Sequence, residues 1–148
     1  MNQDFLDLLR ALTEADARFL VVGAHAMALH GVPRATGDLD VWISPARSNA
    51  DRVWKALVAF GAPVGSLGIS RSDLETSDLV VQLGVPPRRI DLLTSLTGLT
   101  FDPAWNGRSV HEIEGLHVPF LGRDELIANK KATGRPKDLA DLAALEGA

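Results

Sequence analysis

The sequence has no cysteine and no tyrosine, and it has only three tryptophans and five phenylalanines in 148 residues. Without cysteine the chain can form neither a disulfide framework nor a thiolate metal site. The sequence also lacks an apolar run of 18 or more residues, so no membrane-spanning helix is expected. Its first residues, Met1 to Asp4, do not resemble the basic start of a signal peptide. These absences predict a cytoplasmic protein with no membrane partner.

An excess of basic residues is also absent, because 15 Lys and Arg face 19 Asp and Glu, for a net charge of −4. Extensive contact with a nucleic-acid backbone is therefore not expected as the main mode of binding. The length and the 46% hydrophobic content suit one domain over residues 1–148 with a single core. Strand-like and helix-like segments alternate, which predicts an α/β (α+β) fold with a mixed sheet flanked by helices.

Two acids, Asp38 and Asp40, lie at the start of the apolar run Leu39 to Ile43, which has the character of a buried strand. Alternate side chains of a strand share a face, so both carboxylates point the same way, about 6 to 7 Å apart along the backbone. Two like charges at a buried position call for a cation, so the pair predicts a divalent-metal platform. The alternative interpretation is that Asp38 caps a turn and Asp40 is solvated.

Two further features support a metal site that also binds phosphate. Gly23 separates the strand-like Phe19 to Val22 from the helix-forming Ala24 to His30. A glycine at such a turn lets the backbone approach a phosphate closely, although a tight turn alone also favours glycine. Asp91 is a lone acid in a second strand-like run. If its strand lies beside that of Asp38 and Asp40, three carboxylates converge and suit magnesium.

Several cationic residues have two interpretations each. Arg34, in the loop before the acids, can reach phosphate or pair with an acid, and Thr36 follows it. Near the C-terminus lies a cluster that we call the basic cluster, formed by Lys130, Lys131, Arg135 and Lys137. It can be a clamp for a triphosphate or a solvated helix end that the helix dipole favours. Trp42 shares the face of the acids by parity, where core packing is favoured over stacking on a base.

Local signals predict the remaining elements. Strands are expected over 78–83 and 89–93, joined by a Gly84-Val85-Pro86-Pro87 turn, and a hairpin is expected around Glu114-Gly115. Ser48 and Asp51 have the spacing of a helix cap. A helix from Asp124 is expected to end at Gly134, and Pro136 to begin the last helix.

The order of these motifs resembles the DNA polymerase beta-like nucleotidyltransferase superfamily, and in particular small bacterial proteins related to AbiEii-type nucleotidyltransferase toxins. The resemblance is carried by Gly23-Ala24, by Arg34-x-Thr36-x-Asp38-Leu39-Asp40 and by Asp91, over about residues 19–145. The C-terminal segments 126–131 and 135–142 are similar to the toxins' helix lysine and the basic-Asp segment after it. Where the family has Gly-Gly or Gly-Ser, this chain has Gly23-Ala24, so one hydroxyl that could touch phosphate is missing.

The resemblance implies transfer of a nucleoside monophosphate from an NTP to an acceptor hydroxyl, with two magnesium ions held by the three acids. It implies that Asp38, Asp40 and Asp91 are catalytic, and that Asp91 favours deprotonation of the acceptor hydroxyl. The nucleotide-binding residues that it implies are Gly23, Ala24, Arg34, Thr36, Lys130 and Asp138.

The acceptor remains open between tRNA, a protein and a small molecule, and a homodimer or a partner protein is expected to complete the site. One alternative is a non-catalytic nucleotidyltransferase-like binding module, such as the antitoxin-type half of a toxin–antitoxin pair. A metal-dependent phosphohydrolase is a weaker alternative, because it leaves Gly23 and the lysines without a task.

Overall fold

The computed structural model describes residues 1–85 and 88–147. Within these residues, six strands form one mixed sheet in the order β3-β4-β2-β1-β6-β5. The strands are β1 (Phe19–Val22), β2 (Leu39–Ile43), β3 (Val80–Leu83), β4 (Ile90–Leu93), β5 (Ser109–Ile113) and β6 (Leu116–Phe120). The predicted α+β class, with a mixed sheet, is confirmed.

Helices cover both faces of the sheet. They are α1 (Gln3–Glu14), α2 (Gly23–Leu29), α3 (Arg47–Phe60), α4 (Val64–Leu67), α5 (Phe101–Asn106), α6 (Arg123–Thr133) and α7 (Pro136–Gly147), with a 3₁₀ helix at Arg71–Glu75. None of the helices in the described part of the chain is both long enough and apolar enough to cross a membrane.

Strand pairing brings together segments that are far apart in sequence. β2 pairs antiparallel with β1 and parallel with β4, and β1 also pairs parallel with β6. The outer strands β3 and β5 pair antiparallel with β4 and β6. The N-terminal ends of β2 and β4 and the C-terminal end of β1 therefore meet at one edge of the sheet.

Alternation along the strands divides the apolar core into two layers. Phe19, Val21 and Val41 face the layer that holds α1 and α3. Leu20 and Trp42 face the opposite layer, with apolar side chains of α2, α5, α6 and α7. Asp38 and Asp40 share the parity of Trp42, so the acids belong to this second layer.

Most of the predicted turns are found. Glu114 and Gly115 both have positive φ at the β5–β6 hairpin, and Gly134 ends α6 in the left-handed conformation. The predicted Ser48–Asp51 cap is wrong, because α3 begins at Arg47 with Ala46 as its N-cap. In the predicted turn at 84–87, Pro86 and Pro87 lie outside the described residues.

Candidate active site

The three predicted acids lie on one face at one edge of the sheet. Asp40 and Asp91 are direct register partners on the parallel strands β2 and β4. Partners in neighbouring strands point to the same face, so their carboxylates lie side by side. Asp38 immediately precedes β2 and shares that face by parity. A backbone hydrogen bond of 2.9 Å from the Leu39 amide to the Arg89 carbonyl sets this register.

Asp40 is in an environment that disfavours its charge. Burial raises the pKa of Asp40 to about 6, and repulsion from Asp91 and Asp38 adds to the effect. The positive charges of Arg89 and Lys130 act in the opposite direction and only partly compensate. A carboxylate with these neighbours is stabilised in its ionised form by any additional cation.

Arg89 is a residue of this site that the sequence analysis missed. Its guanidinium donates to both oxygens of Asp91, with distances of 2.9 Å from Nε to Oδ1 and 3.2 Å from Nη2 to Oδ2. It also lies 3.4 Å from Oδ2 of Asp38. The hydrogen bonds that Arg89 donates to Asp91 raise the pKa of Arg89, so the cation is permanent. The available signal was parity, because a residue two before Asp91 shares its face.

The donor chemistry of the three acids fits magnesium, which prefers carboxylate oxygens. In their present positions, however, no three Asp, Glu, His or Cys side chains of the described residues are grouped so that they could hold a metal ion. Two of the three acids are instead paired with the guanidinium of Arg89. A metal ion at this site would therefore take over contacts that Arg89 now makes.

Gly23 places the start of α2 directly against the acids. Its φ of +65° is left-handed, which side-chain-bearing residues rarely adopt. An added Cβ at this residue would collide with the carboxylate of Asp40. The closeness to Asp40 follows from the register, since Val22 is the partner of Asp40 on β1. Glycine is therefore required here by conformation and by space.

The backbone amides in the first turn of α2 are available to a ligand. No side chain of the described residues hydrogen-bonds to the amides at its N-terminus, where Val22 is the N-cap. Ala24 is half-buried and offers only its backbone amide. His25 packs edge-on against Phe5, and burial lowers its pKa, while a backbone interaction with Asp38 opposes this shift. A neutral His25 adds no charge to the site.

The lysines of the basic cluster differ in their burial and in their contacts with acids. Lys130, whose side chain is only 12% exposed, lies 2.9 Å from Asp141 and 3.6 Å from Asp138. Lys131 and Lys137 are exposed on the surface. The alternative of a solvated helix end thus suits these two lysines and does not suit Lys130.

Asp138 and Asp141 are both buried beside Lys130, but they have different partners. A side-chain hydrogen bond of 2.6 Å from Arg135 holds the pKa of Asp138 well below its usual range. Asp138 also accepts from the Arg135 amide, which caps α7. Asp141 contacts Arg34 from the loop before β2, at 2.5 Å. Asp141 is not among the site residues predicted from the sequence, although its spacing of three from Asp138 places both acids on one helix face.

Thr36 and Trp42 complete the set of predicted residues. Thr36 is exposed, and its hydroxyl accepts from the Asp38 amide at 3.1 Å, which shapes the turn into β2. Trp42 is 1% exposed and packs edge-on against Phe101, with ring centroids 5.1 Å apart. Core packing, the favoured interpretation of Trp42, is therefore confirmed.

A depression of about 560 Å³ lies at the other end of the same strands, next to Ser44 and Thr94. Its described lining residues include the acids Glu75 and Asp102 and contain neither lysine nor arginine. A triphosphate would meet only negative charge there. The residues that suit phosphate chemistry are those at the edge of the sheet where Asp40 lies.

The sequence matches no protein-family model and no curated protein. Its structure is similar to the crystal structure of a candidate nucleotidyltransferase from Thermotoga maritima, with a TM-score of 0.56. The two chains are 17% identical, and the similarity covers 99% of this chain and 95% of the other. At this identity the likeness concerns the fold, and it confirms a nucleotidyltransferase-like mixed sheet flanked by helices.

Proposed function

We propose that this protein is a magnesium-dependent nucleotidyltransferase that moves a nucleoside monophosphate from an NTP to an acceptor hydroxyl. The observation that carries the proposal is the register of β2 and β4, which sets Asp40 beside Asp91. Asp38 adds a third carboxylate to the same face, and Gly23 brings the start of α2 against Asp40. Acids and exposed amides are thereby adjacent, as a metal-bound triphosphate requires.

Asp38, Asp40 and Asp91 are the residues that would hold magnesium. The metal would supply neutralisation of phosphate charge and a template for the attacking and leaving oxygens. This role also explains why a carboxylate with a pKa of about 6 is kept at Asp40. Groups at such sites are retained for function although their charge destabilises the fold.

The chain's other residues would bind and orient the nucleotide. The amides of Gly23 and Ala24 would donate to phosphate oxygens at the start of α2. Lys130 and Arg34 would neutralise charge that develops on the departing pyrophosphate. Once its ion pair with Arg89 is broken, Asp91 would accept the proton of the acceptor hydroxyl. Thr36 would shape the loop, and Asp138 would add a second, longer contact to Lys130.

A labelling experiment tests the proposal. Each of the four NTPs, labelled at the α-phosphate, is incubated with the protein and with total tRNA, cell-extract protein or aminoglycosides. We expect label transfer and pyrophosphate release with magnesium, and their loss in Asp40→Asn. Asp102→Asn, an exposed acid of α5 far from the site, is the matched control and should keep activity. The proposal would be overturned if no label is transferred and no NTP binds under any of these conditions.

A second candidate is a non-catalytic nucleotide-binding module, which includes an antitoxin-type protein. Two observations favour it: Arg89 pairs with Asp38 and Asp91, and the described acids are not grouped as a ready metal site. Calorimetric titration of NTP with and without magnesium separates the two candidates. Catalysis requires that each ligand strengthens binding of the other, because a bound metal would neutralise the repulsion between the carboxylates and the phosphates. Equal affinity in both conditions would favour the non-catalytic module.

A further inference from the structure

Asp141 joins three separate elements at a single carboxylate. Its Oδ1 lies 2.5 Å from Nη2 of Arg34, in the loop between α2 and β2. Its Oδ2 lies 2.9 Å from Nζ of Lys130 on α6 and 3.4 Å from Nη1 of Arg34. Asp141 itself is on α7 and is 7% exposed. The carboxylate therefore engages Arg34 through both oxygens and Lys130 through Oδ2.

Local helix energetics do not account for this acid. Asp141 is the sixth residue of α7, beyond the first turn in which the helix dipole favours a negative charge. A buried carboxylate without partners is strongly unfavourable. Burial raises the pKa of Asp141, but hydrogen bonds from Arg34 and Lys130 outweigh that effect and leave it lowered. The two cations stabilise the carboxylate, and the carboxylate in turn restricts both cations.

Restriction matters because free lysine and arginine side chains lose rotamer freedom when they are fixed. Cations that are already held when a triphosphate arrives avoid most of this loss on binding. Lys130 is close enough for its charge to act on Asp40. Arg34 shares the carboxylate of Asp141 with Lys130, so the two cations are held together.

We infer that Asp141 is a positioning residue, which holds Arg34 together with Lys130 so that both can meet the triphosphate. It acts through these two cations and does not itself contact the nucleotide. The inference rests on the proposed function, since it takes the ligand of the two cations to be the triphosphate of that reaction. Asp138 differs, because its principal partner is Arg135, three residues before it, and these contacts cap the start of α7.

The test compares Asp141→Asn with Glu146→Gln, an exposed acid on the same helix. Affinity for magnesium–ATP, or for whichever NTP the wild type binds, is measured by calorimetry. We expect Asp141→Asn to weaken binding about tenfold, the scale of one charge-assisted interaction, and Glu146→Gln to leave it unchanged. Unchanged affinity in Asp141→Asn would overturn the inference.

A comparison in a second background separates a positioning role from general destabilisation of the protein. In a background of Arg34→Gln and Lys130→Gln, Asp141→Asn should cause no further loss of affinity, because the residues through which it acts are gone. An additional loss of the same size in that background would contradict a positioning role.

A variant that retains the charge covers the case in which Asp141→Asn does not fold. Asp141→Glu shifts the carboxylate by one methylene, and we expect it to fold but to weaken nucleotide affinity severalfold. Full affinity in Asp141→Glu would count against the inference. If the wild type binds no NTP, the proposed function has failed; if it binds NTP and the Asp141 variants bind equally well, only the inference has failed.

Discussion

Arg89 and Asp91 lie two residues apart on one face of the sheet and form a bidentate ion pair beside the other two acids, Asp38 and Asp40. The guanidinium occupies the position of a counter-ion, because it also approaches Asp38. The fold therefore brings its own cation to a place where the carboxylates would otherwise repel. Whether a metal can replace that cation is the question on which the catalytic proposal depends.

The first prediction concerns this ion pair. We expect Arg89→Gln to lower the melting temperature without metal, because buried Asp91 loses its main partner, and we expect magnesium or manganese to restore it. Arg71→Gln is the matched control, since Arg71 pairs with Asp51 and Glu75 far from the site. Its loss of stability should not respond to metal. Equal metal responses of the wild type and Arg89→Gln, measured by thermal melts, would show that Arg89 does not stand at a cation site.

A second prediction follows from the raised pKa of Asp40. Its folded value of about 6 exceeds the ordinary 3.8, so the folded state binds more protons than the unfolded state between these values. Stability then falls as pH rises from about 4 to 6, and the penalty stays constant above that range. After a discount for partial exposure, Asp40→Asn should stabilise the metal-free protein by about 1 to 2 kcal/mol at pH 8.

At pH 4 the same substitution should be nearly neutral, because Asp40 is then protonated. Denaturant unfolding at the two pH values measures the difference. Asp7→Asn, at an exposed position on α1, is the control for removal of a surface carboxylate. A destabilised Asp40→Asn at pH 8 would mean that the carboxylate is better compensated than its neighbours indicate.

The third prediction separates the two constraints on Gly23. Gly23→Ala meets both a positive φ and the Asp40 carboxylate, whereas Gly61→Ala meets only a positive φ, with nothing within 4 Å of the new Cβ. We expect a loss of about 1 kcal/mol for Gly61→Ala and about 2 to 4 kcal/mol for Gly23→Ala. Only Gly23→Ala should also weaken NTP binding. Equal losses in chemical unfolding would mean that Asp40 moves away without resistance.

A fourth prediction addresses the departure from the Gly-Gly or Gly-Ser pattern. Ala24→Ser restores a hydroxyl at the start of α2, where it can donate to a phosphate oxygen. We expect tighter NTP binding by about 0.5 to 1.5 kcal/mol, the net value of one hydrogen bond. Ala28→Ser, on the exposed side of the same helix, should not alter affinity. If the two variants bind NTP equally, the start of α2 does not lie against phosphate.

The fifth prediction concerns Lys130. Lys130→Ala should weaken NTP binding by about 1 to 3 kcal/mol, because a charge-assisted contact is lost. It should also lower stability, since Asp138 and Asp141 lose a partner, and this differs from the behaviour of a solvated lysine. Lys137→Ala, at an exposed position, should change neither quantity. Paired melts and titrations of the two variants decide the matter, and unchanged nucleotide affinity in Lys130→Ala would remove it from the site.

Features that depend on a few neighbouring residues were available from the sequence. Strand parity put Asp38, Asp40 and Trp42 on one face, and the Glu114-Gly115 hairpin and the Gly134 helix end follow from local backbone preferences. These assignments succeeded because periodicity and positive φ are properties of a short segment. The cap at Ser48 failed because α3 already begins at Arg47, with Ala46 as its N-cap.

Only the tertiary structure decided which charges meet. Asp91 reaches Asp40 because β4, some fifty residues further along the chain, pairs parallel with β2. Arg34 meets Asp141 across 107 residues of sequence, so its partner could not be read from spacing. The basic cluster appeared continuous in the sequence, yet burial separates Lys130 from exposed Lys131 and Lys137. Local pattern determines the face on which a side chain lies, whereas packing between distant elements determines what it faces and how its charge is compensated.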